Sequence, residues 1–179
     1  MTLEELILNC KKHDLKAQEE LYKKFSGTLF SICLKYSRNY HEAEDNLQDA
    51  FITILKSIAQ FKGKGSFEGW MKRITVNTVL QKYRKQRVFN LSNEEQIEEE
   101  VEIEVEDTNV PLDFLLRIVQ ELPDRYRLVF TMYVLDGCPH KEISDEMGIT
   151  VGTSKSNLAR ARKILQTKIE DYHRENELR

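Results

Sequence analysis

His140-Lys-Glu-Ile-Ser-Asp-Glu-Met-Gly-Ile-Thr-Val-Gly-Thr-Ser-Lys-Ser-Asn-Leu-Ala-Arg-Ala-Arg-Lys-Ile-Leu165 is the stretch that decides the fold. Ile143 and Met147 lie four apart on one helix face, and Ser144 is small where a second helix must approach. Gly148 supplies the left-handed backbone that ends a helix. Ile149 then fills the angle between two helices, and Thr150 or Gly152-Thr153 caps the second. In that second helix Leu158, Ala161 and Leu165 pack inward, which turns Thr153, Ser154, Lys155 and Asn157 outward at its N-terminal end. The pattern is a helix-turn-helix. A helix end of this kind enters a major groove, where short hydroxyl, amide and ammonium groups reach base edges. Arg160, Arg162 and Lys163 follow at positions suited to phosphates.

Working outward from this motif, helical spacing dominates the rest of the chain. Upstream, Leu112, Leu115, Leu116, Ile118, Val119 and Leu122 follow Pro111, and a second segment runs from Tyr126 to Leu135 between breaks at Leu122-Pro-Asp124 and Asp136-Gly-Cys-Pro139. In the N-terminal half, Leu3 to Ser37 reads as two or three packed helices interrupted near His13, with Asp14 capping the next. A further helix carries Ala43, Leu47, Ala50, Phe51, Ile54 and Ile58, and ends before Phe61-Lys-Gly-Lys-Gly-Ser66. With 7 glycines and 3 prolines in 179 residues and 40% hydrophobic residues, the expectation is an all-α protein. It consists of an N-terminal helical bundle (1–90), an acidic flexible linker (91–110) and a C-terminal helix-turn-helix domain (111–179).

The net charge of -3 conceals how the charge is distributed. Residues 1–90 hold 16 Lys and Arg against 10 Asp and Glu, residues 91–110 hold none against 9, and residues 111–179 hold 11 against 11. A basic N-terminal half and an acidic connector therefore cancel, and nucleic acid remains a fitting partner. The basic charge concentrates from Phe67 to Arg87, where Trp70, Ile74, Val79 and Leu80 face inward and Lys72, Arg73, Lys82, Arg84, Lys85 and Arg87 mostly outward. Aromatic rings beside cations, here Trp70 and Tyr83, suit a surface that holds unstacked bases.

Several function classes are excluded. There is no Gly-rich phosphate loop, Gly-x-Ser-x-Gly elbow or His-Glu-x-x-His, so no enzyme, catalytic residue or cofactor is expected. Cys10, Cys33 and Cys138 are far apart and lack a CxxC pair, which makes them neutral thiols rather than metal ligands. No apolar run spans a bilayer and Met1 to Leu8 is unlike a signal peptide, so the expected location is the cytoplasm, without membrane insertion.

The run from His41-Glu-Ala-Glu-Asp-Asn-Leu-Gln-Asp-Ala-Phe51 through Phe61-Lys-Gly-Lys-Gly-Ser-Phe-Glu-Gly-Trp70 to Asn77 resembles the second conserved region of the sigma-70 family, most closely its extracytoplasmic-function (ECF) group. Leu122-Pro-Asp-Arg-Tyr-Arg127, Lys141-Glu-Ile143, Gly152-Thr153, Lys155-Ser156 and Arg160-Ala-Arg162 resemble its fourth region. The resemblance implies an RNA polymerase sigma factor, monomeric when free, with three partners: polymerase core, promoter DNA and an anti-sigma factor. Asp45, Gln48, Asp49 and Ile52 match the surface for the clamp helices of the largest polymerase subunit. Lys62, Lys64, Ser66, Asn77, Gln81, Tyr83 and Arg84 match positions that read and melt the downstream promoter element. Thr153, Ser154, Lys155, Asn157, Arg160, Arg162 and Lys163 match those for the upstream element. The acidic segment resembles the family's connector through the polymerase cleft. Gln81, Val76 and Asn157 depart from residues common in the family, so no promoter sequence is carried over. The rival reading is a stand-alone helix-turn-helix regulator, which would bind duplex DNA by itself as a dimer.

Overall fold

The computed structural model describes residues 1–85 and 110–177, and every described element is helical. The chain divides into two compact units, Met1–Lys82 and Tyr83–Arg179. The acidic connector expected over 91–110 lies, apart from Val110, outside the described residues.

Local signals start the helices of the first unit. α1 (Leu3–Lys11) opens with a capping box in which Thr2 Oγ1 accepts the Glu5 N–H at 3.2 Å and Glu5 Oε2 accepts the Thr2 N–H at 2.8 Å. α2 (Leu15–Tyr36) is capped by Asp14, as its sequence position implied, with Asp14 Oδ1 accepting from Ala17 N–H at 2.8 Å. α3 (Tyr40–Ser57) is capped by Asn39 and tightens into a 3-10 turn over Ile58–Gln60. α4 (Phe67–Lys85) follows the glycine loop. Leu21, Phe25, Leu29 and Cys33 of α2 pack with Leu47, Ala50, Phe51 and Ile54 of α3 and with Met71, Val79 and Leu80 of α4 to make the core. Along α4 Phe67, Met71, Thr75 and Val79, four apart, are buried, as are Leu80 and Tyr83; Trp70 and Ile74, expected inward, are half-buried.

In the second unit, α5 (Leu112–Gln120) and α6 (Asp124–Phe130) are joined at Leu122-Pro123, and α6 continues as a wider π-helical turn, Thr131–Leu135. The Asp136 N–H reaches back five residues to the Thr131 carbonyl at 3.0 Å. α7 (His140–Met147) ends on Gly148 at φ 66°, ψ 36°, and the Gly148 and Ile149 N–H groups both close onto the Ser144 carbonyl. α8 (Val151–Glu177) then runs for 27 residues. Ile118, Val119, Leu122 and Tyr126 pack on Ala161 and Leu165 of α8. The helix-turn-helix is thus α7 and α8, with Ile143, Ser144 and Met147 all buried as the spacing required.

Arg127 sits within this unit and is fully buried. Its guanidinium donates to the Leu122 carbonyl at 2.9 Å, to the Gln120 carbonyl at 3.4 Å and to Asp124 Oδ1 at 2.6 Å, which locks the α5–α6 corner. A buried charge is tolerated here because carbonyls and a carboxylate replace its water.

Candidate nucleic-acid interface

Thr150, rather than Gly152-Thr153, caps α8: its Oγ1 accepts the Thr153 N–H at 3.0 Å and lies 2.9 Å from Thr153 Oγ1. Thr153 is half-buried, while Lys155 and Lys163 are exposed and Arg162 is half-buried. The outward orientation expected of Ser154 and Asn157 is corrected, because both are buried, at 0% and 5% exposure. Ser154 precedes Leu158 by four residues, and Asn157 precedes Ala161 by four, so both fall on the stripe that α8 turns to its neighbours. Ser154 Oγ lies 2.9 Å from His140 Nδ1, and the His140 ring stacks on Tyr133 at 4.4 Å. The start of α8 therefore leaves Val151, Gly152 and Lys155 exposed and Thr153 half-buried. Val151 was not singled out from sequence, yet it is exposed at the first position of α8, where an apolar side chain can meet a thymine methyl.

Further along α8, Arg160 Nη1 donates to the Tyr126 hydroxyl at 3.3 Å. The Arg125 guanidinium lies over the same ring at 5.1 Å and donates to the same oxygen at 3.4 Å. Burial alone would raise the Tyr126 hydroxyl, but the Arg160 hydrogen bond and the two arginine charges hold it below the usual tyrosine range.

In the first unit, Lys62, Lys64 and Ser66 are exposed on the loop before α4, where Gly63 and Gly65 adopt φ 72° and 82°. Ser66 Oγ accepts the Gly69 N–H at 3.2 Å and caps α4. Both ends of the loop are anchored by rings: Phe61, Phe67 and Trp70 lie 5.0 to 5.5 Å apart. Lys11 Nζ also donates to the Phe61 carbonyl at 2.9 Å. The loop thus presents Lys62 and Lys64 to solvent, with the Ser66 hydroxyl turned to the start of α4. Asn77, Gln81 and Arg84 recur at i, i+4 and i+7 on one face of α4; Asn77 is half-buried and the other two are exposed. Tyr83, the first residue of the second unit, as a freely presented stacking ring is corrected: it is buried, its hydroxyl accepts from Arg127 at 3.0 Å and the guanidinium lies over its ring at 5.5 Å.

Asp45, Gln48, Asp49 and Ile52 are all exposed on α3, and Ile52, a large apolar side chain, is 51% exposed. An apolar residue ringed by carboxylates and an amide suits a protein partner rather than DNA. Lys82 of α4 reaches this helix, with Nζ 2.9 Å from Asp49 Oδ2 and donating to Asn46 Oδ1 at 3.0 Å. Cys33 lies beneath; burial pushes its thiol up to about 12, with only partial relief from a backbone hydrogen bond and the Lys82 charge. Among the described residues no cluster of His, Cys, Asp or Glu is arranged to hold a metal ion, and no helix is long and apolar enough to cross a membrane.

Residues 21–88 match the family described as sigma-70 region 2, and residues 114–165 match sigma-70, region 4. The chain is similar to the ECF RNA polymerase sigma factor SigW of Bacillus subtilis, 29% identical over 185 aligned positions that cover 96% of this chain and 98% of that protein. It is also similar to the ECF RNA polymerase sigma-E factor of Escherichia coli K12, 26% identical over 183 positions, 95% of each. Among solved structures, its fold resembles the sigma factor RpoE crystallised with the anti-sigma factor NepR from Bartonella quintana. The TM-score is 0.53 at 20% identity, covering 87% of this chain and 98% of that one.

Proposed function

The chain belongs to the sigma-70 family, in its ECF group, and from that membership we propose how its residues divide a sigma factor's work. It binds RNA polymerase core and directs promoter recognition and DNA opening for transcription initiation. The observation that carries this reading is the occurrence of both matched regions, in order, on one chain whose second unit holds a capped helix-turn-helix.

The exposed row Asp45, Gln48, Asp49 and Ile52 is the polymerase surface, with Ile52 as its apolar centre. Lys62, Lys64 and Ser66 approach the downstream element from the loop, and Asn77, Gln81 and Arg84 approach it from α4 as the strands part. Val151, Thr153 and Lys155 enter the major groove at the upstream element, and Arg160, Arg162 and Lys163 hold its phosphates. Ser154 and Asn157 act at one remove, by fixing α8 against its neighbours. Residues 1–90 and 111–179 are the two working domains, joined by the acidic segment 91–110. The protein supplies no covalent chemistry, acts in the cytoplasm as a monomer until it joins polymerase, and is held in check by an anti-sigma partner. A structural relative bound to NepR supports that last point.

The test is promoter-dependent transcription from genomic fragments by purified core polymerase, with and without the protein. Transcripts that start at discrete sites only when it is present are expected. Polymerase that ignores the protein, while the protein alone shifts duplex DNA, would instead favour the stand-alone regulator.

A further inference from the structure

Charge pattern alone sets Lys82 among the outward cations of α4, yet its ammonium is turned back onto α3. It donates to Asn46 Oδ1 at 3.0 Å and pairs with Asp49 Oδ2 at 2.9 Å. Asn46 is 1% exposed, and its amide nitrogen donates to the buried Ser37 hydroxyl at 2.8 Å. With its nitrogen committed to Ser37 and its oxygen to Lys82, the Asn46 amide is fixed in orientation. Lys82 is therefore aimed by a buried group and does not simply swing on the surface.

The pair stands where two working faces meet. Asp49 belongs with Asp45 and Ile52, at i+4 and i+7 spacing, on the polymerase face of α3. Lys82 directly follows Gln81, the central residue of the α4 face that meets opened DNA. Each member needs a different partner at work: Asp49 a cation of polymerase, Lys82 a phosphate. The side chains of Lys82 and Asp49 are 37% and 50% exposed, so each can be reached from solvent.

We propose that the Asp49–Lys82 pair couples polymerase binding to strand binding. In the free chain the Asp49 carboxylate masks the Lys82 ammonium, and a polymerase cation that takes over Asp49 releases Lys82 to a phosphate of the opened downstream strand. The proposal rests on the assignment of α3 and α4 made above. A carboxylate 2.9 Å from an ammonium competes for its donors and repels an approaching phosphate, so neutralising Asp49 strengthens strand binding through Lys82. Linkage makes the effect reciprocal: a strand held at Lys82 strengthens polymerase binding at Asp49 by the same factor.

The experiment is a double-mutant cycle on the full chain, using wild type, D49N, K82Q and the double variant, with folding checked by circular dichroism. The probe is a labelled single strand carrying the downstream element mapped in the transcription experiment, followed by fluorescence anisotropy at low salt and by NMR titration for weak binding. D49N is expected to tighten binding about two- to fivefold, the range of a partly exposed ion pair. In the D49N background K82Q weakens binding and reduces the slope of log K against log salt by about 0.7, one phosphate on a single strand, whereas alone, with Lys82 masked, K82Q changes binding little. In the K82Q background D49N gains nothing. A D49N gain that persists without Lys82 is a bulk charge effect and overturns the proposal, as does an unchanged D49N or the absence of strand binding by every variant. Discrete transcription starts with no coupling overturn the coupling alone, whereas loss of discrete starts with the wild type overturns the sigma reading with it.

Discussion

In the first unit Asp45, Gln48, Ile52, Lys62, Lys64 and Gln81 stand in solvent, whereas in the second Ser154 and Asn157, on the first turns of α8, are buried. The difference follows from how each unit assembles its core. The first packs three long helices, α2, α3 and α4, and can reserve whole faces for partners. The second sets short helices against the single long α8, whose first turns must pack on α7 while presenting residues to DNA. Polar character at the start of α8 therefore serves cohesion as well as recognition. Each unit also fixes its architecture with a buried polar group: Asn46 between Ser37 and Lys82 in one, and Arg127 at the α5–α6 corner in the other.

The largest effect expected is from Arg127→Ala. Removing a buried guanidinium from two carbonyls and the Asp124 carboxylate should cost the second unit about 3 kcal/mol or more. Trp70, the single tryptophan, lies in the first unit. Helical signal should then be lost at lower temperature with a smaller shift in Trp70 fluorescence, since Arg127 also donates to the Tyr83 hydroxyl of α4 at 3.0 Å; equal shifts in both signals would break the comparison of the two units. Asn46→Ala comes next, at about 1–3 kcal/mol, because it strands the Ser37 hydroxyl and one Lys82 donor; here the Trp70 transition is the one that should move.

Ser154→Ala sharpens the contrast within the second unit. Loss of the His140 contact should lower its stability by about 1 kcal/mol, while the ranking of upstream-element sequences in a binding competition stays the same. A changed ranking with unchanged stability would return Ser154 to the groove. Lys155→Ala should do the reverse, weakening upstream-element binding at unchanged stability, since its side chain is exposed. The effect smallest at neutral pH concerns Cys33. Its thiol stays protonated in the fold up to about 12, against an ordinary 9.0, so between these values the unfolded chain binds fewer protons than the folded one. Stability contributed by Cys33 is complete below pH 9 and falls as pH rises toward 12. The slope of stability against pH in that window, followed through Trp70, should be shallower in Cys33→Ala than in the wild type.

Features decided within one or two turns were legible in the sequence. The caps at Asp14 and Thr150, the left-handed Gly148 and the loop at Gly63 and Gly65 follow from backbone chemistry that neighbouring residues express. On α3, Asp45, Gln48 and Asp49 share a helix face by spacing, whereas Ile52 entered through the family resemblance. Features decided by a second element were not. Ser154 and Asn157 lie four residues before Leu158 and Ala161, and that spacing was the available signal; their polar side chains argued the other way. Asn46, between Ala43 and Leu47, is likewise a polar residue on an apolar stripe, explained only once Ser37 and Lys82 are brought beside it. The π turn after α6 had no local mark, because Tyr126 to Leu135 reads as unbroken helix. By widening the turn it leaves Tyr133, Val134 and Leu135 partly in solvent.

The length of α8 has a mechanical meaning. Its core contacts centre on Ala161 and Leu165, with about 15 Å of helix before them and about 18 Å after them at 1.5 Å per residue. Both arms are held, the first by the Ser154–His140 contact at 2.9 Å and the second by the Tyr172 ring 4.3 Å from Phe114, so α8 works as a strut rather than a lever. The C-terminal end of α8, the longest helix among the described residues, is thus tied through one unbroken element to the end proposed to meet the groove.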